Sequence, residues 1–268
     1  MTDSHLRKPE EGLHQVEESW SPYGRLPHSV RSQLRRFWSR LGFNPDVASK
    51  LRYEVDMVLL RTRCALSRRQ KRQENDLAQR RHLKLHLGCG NALLLGWINV
   101  DCYPPQEVPG IEVLMIDMRC KWPLADGSVA ALFSEHFLEH LPFDTVRGHI
   151  LQQIRRILEP GGRVRIGVPN GEYFVEQFVA SRQGAADPLY EQARQDKTPM
   201  TMLNEITNGF GHYFAYDFET MARILGEAGF AEIRRMKPGH TEVEAFKGLD
   251  RTDPWRMAMS LYVEATRP

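Results

Sequence analysis

The chain has 268 residues, 41% of them hydrophobic and 26% charged, with a formal net charge of +2. That balance is ordinary for a soluble globular protein and excludes collagen-like, mucin-like and wholly disordered chains. No uncharged apolar run approaches the roughly 18 residues that a membrane span requires.

The charge is unevenly spread. Residues 1–24 hold 2 basic and 5 acidic side chains, residues 25–81 hold 15 and 5, and residues 82–268 hold 19 and 24. A basic arm beside a mildly acidic body is the expected organisation. The cysteines Cys64, Cys89, Cys102 and Cys120 form no C-x-x-C pair. With no apolar h-region near Met1, this predicts a reducing, cytoplasmic setting.

Residues 1–24 are polar, aperiodic and carry Pro9 and Pro22, so they read as a flexible tail. Residues 25–81 read as a basic helical extension. Val30, Leu34, Phe37, Trp38 and Leu41 share helical spacing, Pro45 breaks the run, and Leu51, Val55, Val58, Leu59 and Leu66 resume it. Residues 82–268 form the main domain. LKLHLGCG from Leu83 alternates apolar and polar residues and ends in glycines, as a strand entering a tight turn does. Further strands are predicted at Trp97–Asp101, Val113–Asp117, Val129–Ser134, Arg163–Val168, Ala231–Met236 and Ser260–Thr266. Asp144 is a plausible cap for a helix whose buried stripe is Val146, Ile150, Ile154, Ile157 and Leu158, stopped by Pro160-Gly161-Gly162. Asp217 caps another, with Phe218, Met221, Ala222 and Leu225 inward and Gly229 as its stop. Residues 171–216 read as an insertion, a candidate lid. The expected fold is α/β: a Rossmann-like, doubly wound, mainly parallel seven-stranded sheet with an N-terminal helical extension.

Chemistry gathers at the predicted strand ends. Gly88 and Gly90 follow the first strand, where glycine lets the backbone turn and approach a ligand. Asp101 closes the second, where a carboxylate can accept both hydroxyl protons of a ribose. Asp117 closes the third. A dinucleotide fingerprint would need a third glycine where Leu93 stands, which disfavours a nicotinamide cofactor.

KLHLGCGNALLLGWINVD, IDMRCKWPLADGSVAALFSEHFLEHL, IRRILEPGGRVRIGVPN and GHYFAYDFETMARILGEAGF together resemble the class I S-adenosylmethionine-dependent methyltransferases. The likeness is to the branch with LGCG, GWxNVD, LEHL and LxPGG motifs, which often acts on small molecules or sugars, and it covers about residues 83–266. The resemblance implies S-adenosylmethionine as cofactor. Gly88, Cys89 and Gly90 would line its methionine part and Asp101 would hold the ribose. Asp117 and Met118 would meet the adenine, and Ser134 and Glu135 would flank the sulfonium. The chain departs from the class where only Asn91–Leu95 separate the glycine loop from Gly96-Trp97, so the first crossover helix must be rudimentary. The basic N-terminal helix is then expected to cover that face through Leu51, Val55, Val58 and Leu59.

SEHFLEH places His136, Glu139 and His140 on one face if the segment is helical. Three readings stand open: a hydrogen-bonded network that shapes the pocket, a general base drawn from His140, His212 or His136, or a metal site. The last rests on His-x-x-Glu-His resembling the Glu-x-x-Glu-His pattern by which some methyltransferases bind a divalent ion, with His212 as a later ligand. Tyr173, Phe174, Phe178, Phe210, Tyr213 and Tyr216 are either a stacking wall for a ring or sugar, or the core of the insertion. The arginines between Arg31 and Arg72 accompany no nucleic-acid motif, so a solvated face or an anionic membrane surface is expected rather than RNA. The expected activity is methyl transfer, with oxygen of a small molecule or saccharide as acceptor. The rivals are a non-catalytic binding or scaffold subunit and a nicotinamide-dependent oxidoreductase.

Overall fold

The apolar runs pair into one seven-stranded sheet. Its strands are β1 (Leu83–Leu87), β2 (Ile98–Asp101), β3 (Glu112–Met115), β4 (Val129–Glu135), β5 (Leu158–Pro169), β6 (Ala231–Met236) and β7 (Ser260–Thr266). They lie in the order β3-β2-β1-β4-β5-β7-β6. β1 to β5 run parallel, and β7 is antiparallel to both β5 and β6. The strand order reverses between β1 and β4, so their carboxyl ends flank the crevice where such sheets bind ligands.

The computed structural model describes Gly42, residues 45–103 and residues 108–268. The 1–24 tail and the stripe from Val30 to Leu41 lie outside the described residues. The chain divides into two units, Met1–Asp56 and Met57–Pro268. Helix α1 (Pro45–Leu66) crosses that division, and Ser67 caps α2 (Arg68–Gln79) by accepting the Gln70 N–H at 3.2 Å.

Within the second unit, α1 and α2 meet the sheet at its β3 edge. Gln70 Nε2 and Gln73 Nε2 donate to the carbonyls of Met115 and Val113 at 3.1 and 2.8 Å, which satisfies acceptors that an edge strand leaves open. Met57 and Leu60 are the buried positions of this part of α1. Val58 and Leu59 are 52% and 54% exposed, so the expected stripe is not the packed one. Leu51 and Val55, in the first unit, are exposed as well. The sequence carries two overlapping apolar stripes, and helical spacing alone does not say which faces inward. Leu60→Ala should therefore cost about 2–5 kcal/mol, and Val58→Ser no more than about 0.5 kcal/mol. Thermal unfolding checks this, and equal losses would contradict the packing.

One face of the sheet carries Leu85, Ile98, Leu132 and Val164, which are neighbours in register. The helix expected after an Asp144 cap begins at Phe143 without a side-chain cap. It runs from α3 (Phe143–Thr145) through a π turn (Val146–Ile150) into α4 (Leu151–Ile157). Of its predicted stripe, Val146, Ile150, Ile154 and Ile157 are fully buried against this face, whereas Leu158, equally buried, opens β5 rather than extending the helix. β5 starts at Leu158, earlier than Arg163, because Leu158 already pairs with Val129; the ladder is then irregular, with Gly161 at φ +78°, until Arg163 pairs with Ala131.

The opposite face carries His86, Asn99, Phe133 and Arg165, again neighbours in register. Between β1 and β2 there is no helix at all. Trp97, Ala131 and Phe133 pack instead under Phe246, with Val243 and Leu249 beside it, so a late segment does the covering expected of the N-terminal helix.

The 171–216 region folds into α5 (Gly171–Arg182), α6 (Pro188–Arg194) and α7 (Pro199–Asn208). Phe174, Tyr190, Met202 and Ile206 form their shared core, joined by Met259 of α9 (Pro254–Met259). α8 (Phe218–Glu227) lies between this region and β6. Asp217 caps it, its carboxylate accepting the Thr220 N–H at 2.8 Å. Gly229 at φ +84° ends it, with the Phe230 N–H reaching back to the Leu225 carbonyl at 3.0 Å.

Candidate active site

The glycine loop is pinned from below. The N–H groups of Gly88 and Cys89 both donate to the Val100 carbonyl, at 2.9 and 3.2 Å. Gly88 has φ +69°, and a Cβ there would lie 2.4 Å from Cγ of Phe137. Its glycine is thus required by Phe137 packing as well as by the turn. Gly90, at φ +48°, has no atom within 4 Å of where its Cβ would stand. The open part of the cradle is therefore at Gly90, and a side chain would fill it. Cys89 is buried, and burial with Asp101 nearby pushes its thiol upward, so it stays protonated.

Asp101 ends β2 beside that opening. Its two carboxylate oxygens accept the N–H groups of Gly90 and Tyr103, each at 2.9 Å. A carboxylate has about four acceptor sites, so capacity remains for a ligand diol. Asp117 is differently engaged. It accepts from Arg119 N, Nε and Nη2 at 3.0, 3.0 and 3.1 Å, with Arg61 Nε at 3.8 Å. Met118 is buried in the main core.

Ser134 stands in register with Leu87, directly across from the start of the glycine loop. Its Oγ is buried and has no hydrogen-bond partner among the described residues. Glu135 is engaged by protein partners. Its carboxylate accepts from the Tyr262 hydroxyl and, at 3.1 Å, from the Arg251 N–H, with Arg251 Nε at 3.3 Å. The open cradle at Gly90 and the orphaned Ser134 hydroxyl fit a bound cofactor, whereas Asp117 and Glu135 are already spent on protein partners.

Beyond β4 the chain makes a sharp turn. His136 sits at φ +52°, a conformation that costs a non-glycine residue about 1–2 kcal/mol. Leu138–His140 is a single 3₁₀ turn rather than the α-helical face expected. The GHYF segment is tied to it, since the Tyr213 N–H donates to the Glu139 carbonyl at 2.7 Å. This brings the His140 and His212 rings to 4.8 Å between centroids, at 72° to one another. The histidines expected to act together are therefore adjacent. Burial lowers all three, His140 to about 3, so they are neutral at pH 7. Burial also raises Glu139 to about 8.

The expected aromatic wall divides. Tyr173 and Phe174 belong to the core of the inserted helices, while Phe210 and Tyr213 are 38% and 44% exposed. A cavity of about 390 Å³ opens between α5, α7 and the start of α8, lined by Glu172, Val175, Leu203, Ile206, Thr207 and Tyr216.

Residues 85–166 match the model of the family described as Methyltransferase domain. The match spans the glycine loop, the β2 and β3 ends, the histidine turn and most of β5. No curated protein is matched by the sequence. Among solved structures, the chain is similar to a SAM dependent methyltransferase from Archaeoglobus fulgidus at 16% identity, over 74% of this chain and 91% of that one, with TM-score 0.43. It is similar to an S-adenosylmethionine dependent methyltransferase from Mesorhizobium loti at 17% identity, over 76% and 99%, with TM-score 0.39. It is also similar to Haemonchus contortus phosphoethanolamine N-methyltransferase 2, at 13% identity over 74% and 52%, with TM-score 0.41.

Sequence reading missed Phe137, Arg251, Arg256 and Tyr262. Phe137 carries no signal of its own, being one aromatic in an apolar run. Arg256 and Tyr262 reach His136 and Glu135 across 120 and 127 residues of chain, a distance no local motif spans.

Proposed function

We propose that this protein is an S-adenosylmethionine-dependent methyltransferase that methylates an oxygen of a small molecule or saccharide. The observation that carries the reading is the convergence at the β1, β2 and β4 ends. Gly90 leaves an open cradle, Asp101 stands beside it, and Ser134 presents an unused hydroxyl. Asp101 would hold the ribose and the Gly88-Cys89-Gly90 backbone the methionine part. Met118 and Asp117 would flank the adenine, with Asp117 exchanging Arg119 contacts to do so. Ser134 would lie nearest the sulfonium, with Glu135 supporting it from behind through Tyr262 and Arg251. The cofactor would supply an electrophilic methyl group, and the protein would supply positioning, worth up to about 7–11 kcal/mol in favourable cases.

His140 and His212 would face the acceptor hydroxyl. They would present lone pairs, the form that a proton acceptor or a metal ligand needs, whereas both His136 nitrogens are taken by Arg256 and Ser260, so His136 would shape the turn. An acceptor would enter through α5–α7, acting as a lid. The exposed apolar positions of α1, with Arg63, Arg68, Lys71 and Arg72 exposed on α1 and α2, would face an anionic surface; no described helix is long and apolar enough to cross a membrane.

Calorimetry tests the cofactor. S-adenosylhomocysteine should bind far more tightly than NAD, and Asp101→Ala should weaken it at least tenfold, since one charge-assisted hydrogen bond contributes about 1.5–3 kcal/mol. Equal affinity for both ligands, or an unaffected Asp101→Ala, would reject the reading. Binding without methyl transfer to any acceptor in a labelled-methyl screen would point to a scaffold subunit.

A further inference from the structure

We propose that Glu139, His140 and His212 form a binding site for one divalent ion of the zinc type. The donor atoms of the three side chains all lie within 4.8 Å of one another. Glu139 and His140 come from the 3₁₀ turn after β4 and His212 from the segment after α7, held together by the Tyr213–Glu139 backbone bond.

Glu139 is a buried carboxyl without a hydrogen-bond partner among the described residues: its side chain is 1% exposed, and neither carboxylate oxygen receives a hydrogen bond. A buried carboxyl without donors is stable only as the neutral acid or with a cation bound to it. Its nearest neighbour does not help. Arg256 Nη1 lies 3.1 Å from His136 Nδ1, and a guanidinium can only donate, so that nitrogen accepts. The His136 proton then sits on Nε2, donated to Ser260 Oγ at 2.7 Å. Glu139 Oε1 nevertheless stands 3.3 Å from the same Nδ1, so two acceptors face each other. A proton or a cation on Glu139 removes the conflict, and the His140 and His212 donor atoms gathered within 4.8 Å of Glu139 are ligands that a cation alone would use.

His212 is held in the orientation a ligand needs. Its Nδ1–H donates to the Ile206 carbonyl at 2.9 Å, which leaves Nε2 with its lone pair free of a proton. An outer hydrogen bond of this kind orients a metal-bound imidazole and sets its tautomer. Tetrahedral coordination with bonds of about 2.1 Å places ligand atoms about 3.4 Å apart, so the cluster closes on an ion by side-chain shifts of about an ångström. Two imidazoles and one carboxylate suit zinc, cobalt or nickel better than magnesium, which prefers oxygen throughout. Three protein ligands leave a coordination position open. The role of that position, holding the acceptor oxygen, rests on the methyltransferase reading; uptake of the ion does not.

The test uses the full chain, stripped with a chelator and desalted. Cobalt(II) is titrated in and followed by its visible absorption, with zinc and then magnesium as competitors. One cobalt per chain is expected, displaced by zinc and not by excess magnesium. His212→Gln and Glu139→Gln, checked for folding by circular dichroism, should each weaken binding by more than the roughly tenfold that even an outer partner costs. An absence of cobalt bands in the wild type would show that Glu139 is satisfied by a proton, and the proposal would fall. It would fall equally if a thiolate charge-transfer band placed the ion on a cysteine, or if both variants bound cobalt unchanged. S-adenosylhomocysteine binding to the same stripped protein separates the two proposals, because either ligand can fail alone.

Discussion

Arg165→Ala should destabilise the protein by about 3–5 kcal/mol, the usual cost of leaving a buried charge without its partner. Arg165 is fully buried in the middle of β5. Its Nε donates to Asp250 Oδ1 at 2.8 Å, its terminal nitrogens reach Asp250 and Glu264, and its Nη1 donates to the His240 carbonyl at 3.2 Å. The guanidinium also stacks 4.8 Å from the Tyr262 ring centroid. Removing it strands two carboxylates on the face that Phe246 and its neighbours cover. Arg165→Met with Asp250→Leu and Glu264→Leu should recover much of the loss, though not the Gly239 N–H bond to Asp250 at 2.7 Å. Chemical denaturation of the single and triple variants measures both. A single variant as stable as the wild type would show that the charges are solvated rather than buried.

The two loop glycines should fail in different ways. At Gly88 an added Cβ meets the Phe137 ring at 2.4 Å and the backbone is left-handed at φ +69°. Left-handed strain of about 1–2 kcal/mol and overpacking of about 1–3 kcal/mol add up, so Gly88→Ala should lose stability and displace the histidine turn. At Gly90 nothing stands within 4 Å, so Gly90→Ala should bear only the strain. The same methyl group would occupy the opening beside Asp101, so S-adenosylhomocysteine binding should fall while the fold persists. Melting curves and calorimetry on the two variants decide between a packing glycine and a ligand glycine. Undiminished binding by Gly90→Ala would move the ligand elsewhere.

Much of this was legible from residues alone, because it is local. The strands from Leu83, Val129 and Ser260 announce themselves by apolar composition and bounding turns. The Asp217 cap and Gly229 stop of α8 each use contacts within a few residues, so a short window of sequence contains the whole cause. The same is true of the buried stripe from Val146 to Ile157, whose spacing matches one face of a helix.

What sequence left open is what the sheet brings together. Which of two stripes on α1 faces inward depends on the body it meets, and Met57 and Leu60 win over Val58 and Leu59. The missing crossover helix is replaced by Phe246 from far along the chain. Asp117 and Glu135 read as ligand contacts by position, yet Arg119, Arg251 and Tyr262 claim their carboxylates. His212 reaches Glu139 and His140 only because a backbone bond from Tyr213 closes the loop. Local periodicity and turn chemistry determine the elements. Strand register and side-chain partners distant along the chain decide which polar groups are satisfied, and so which of them remain available for chemistry.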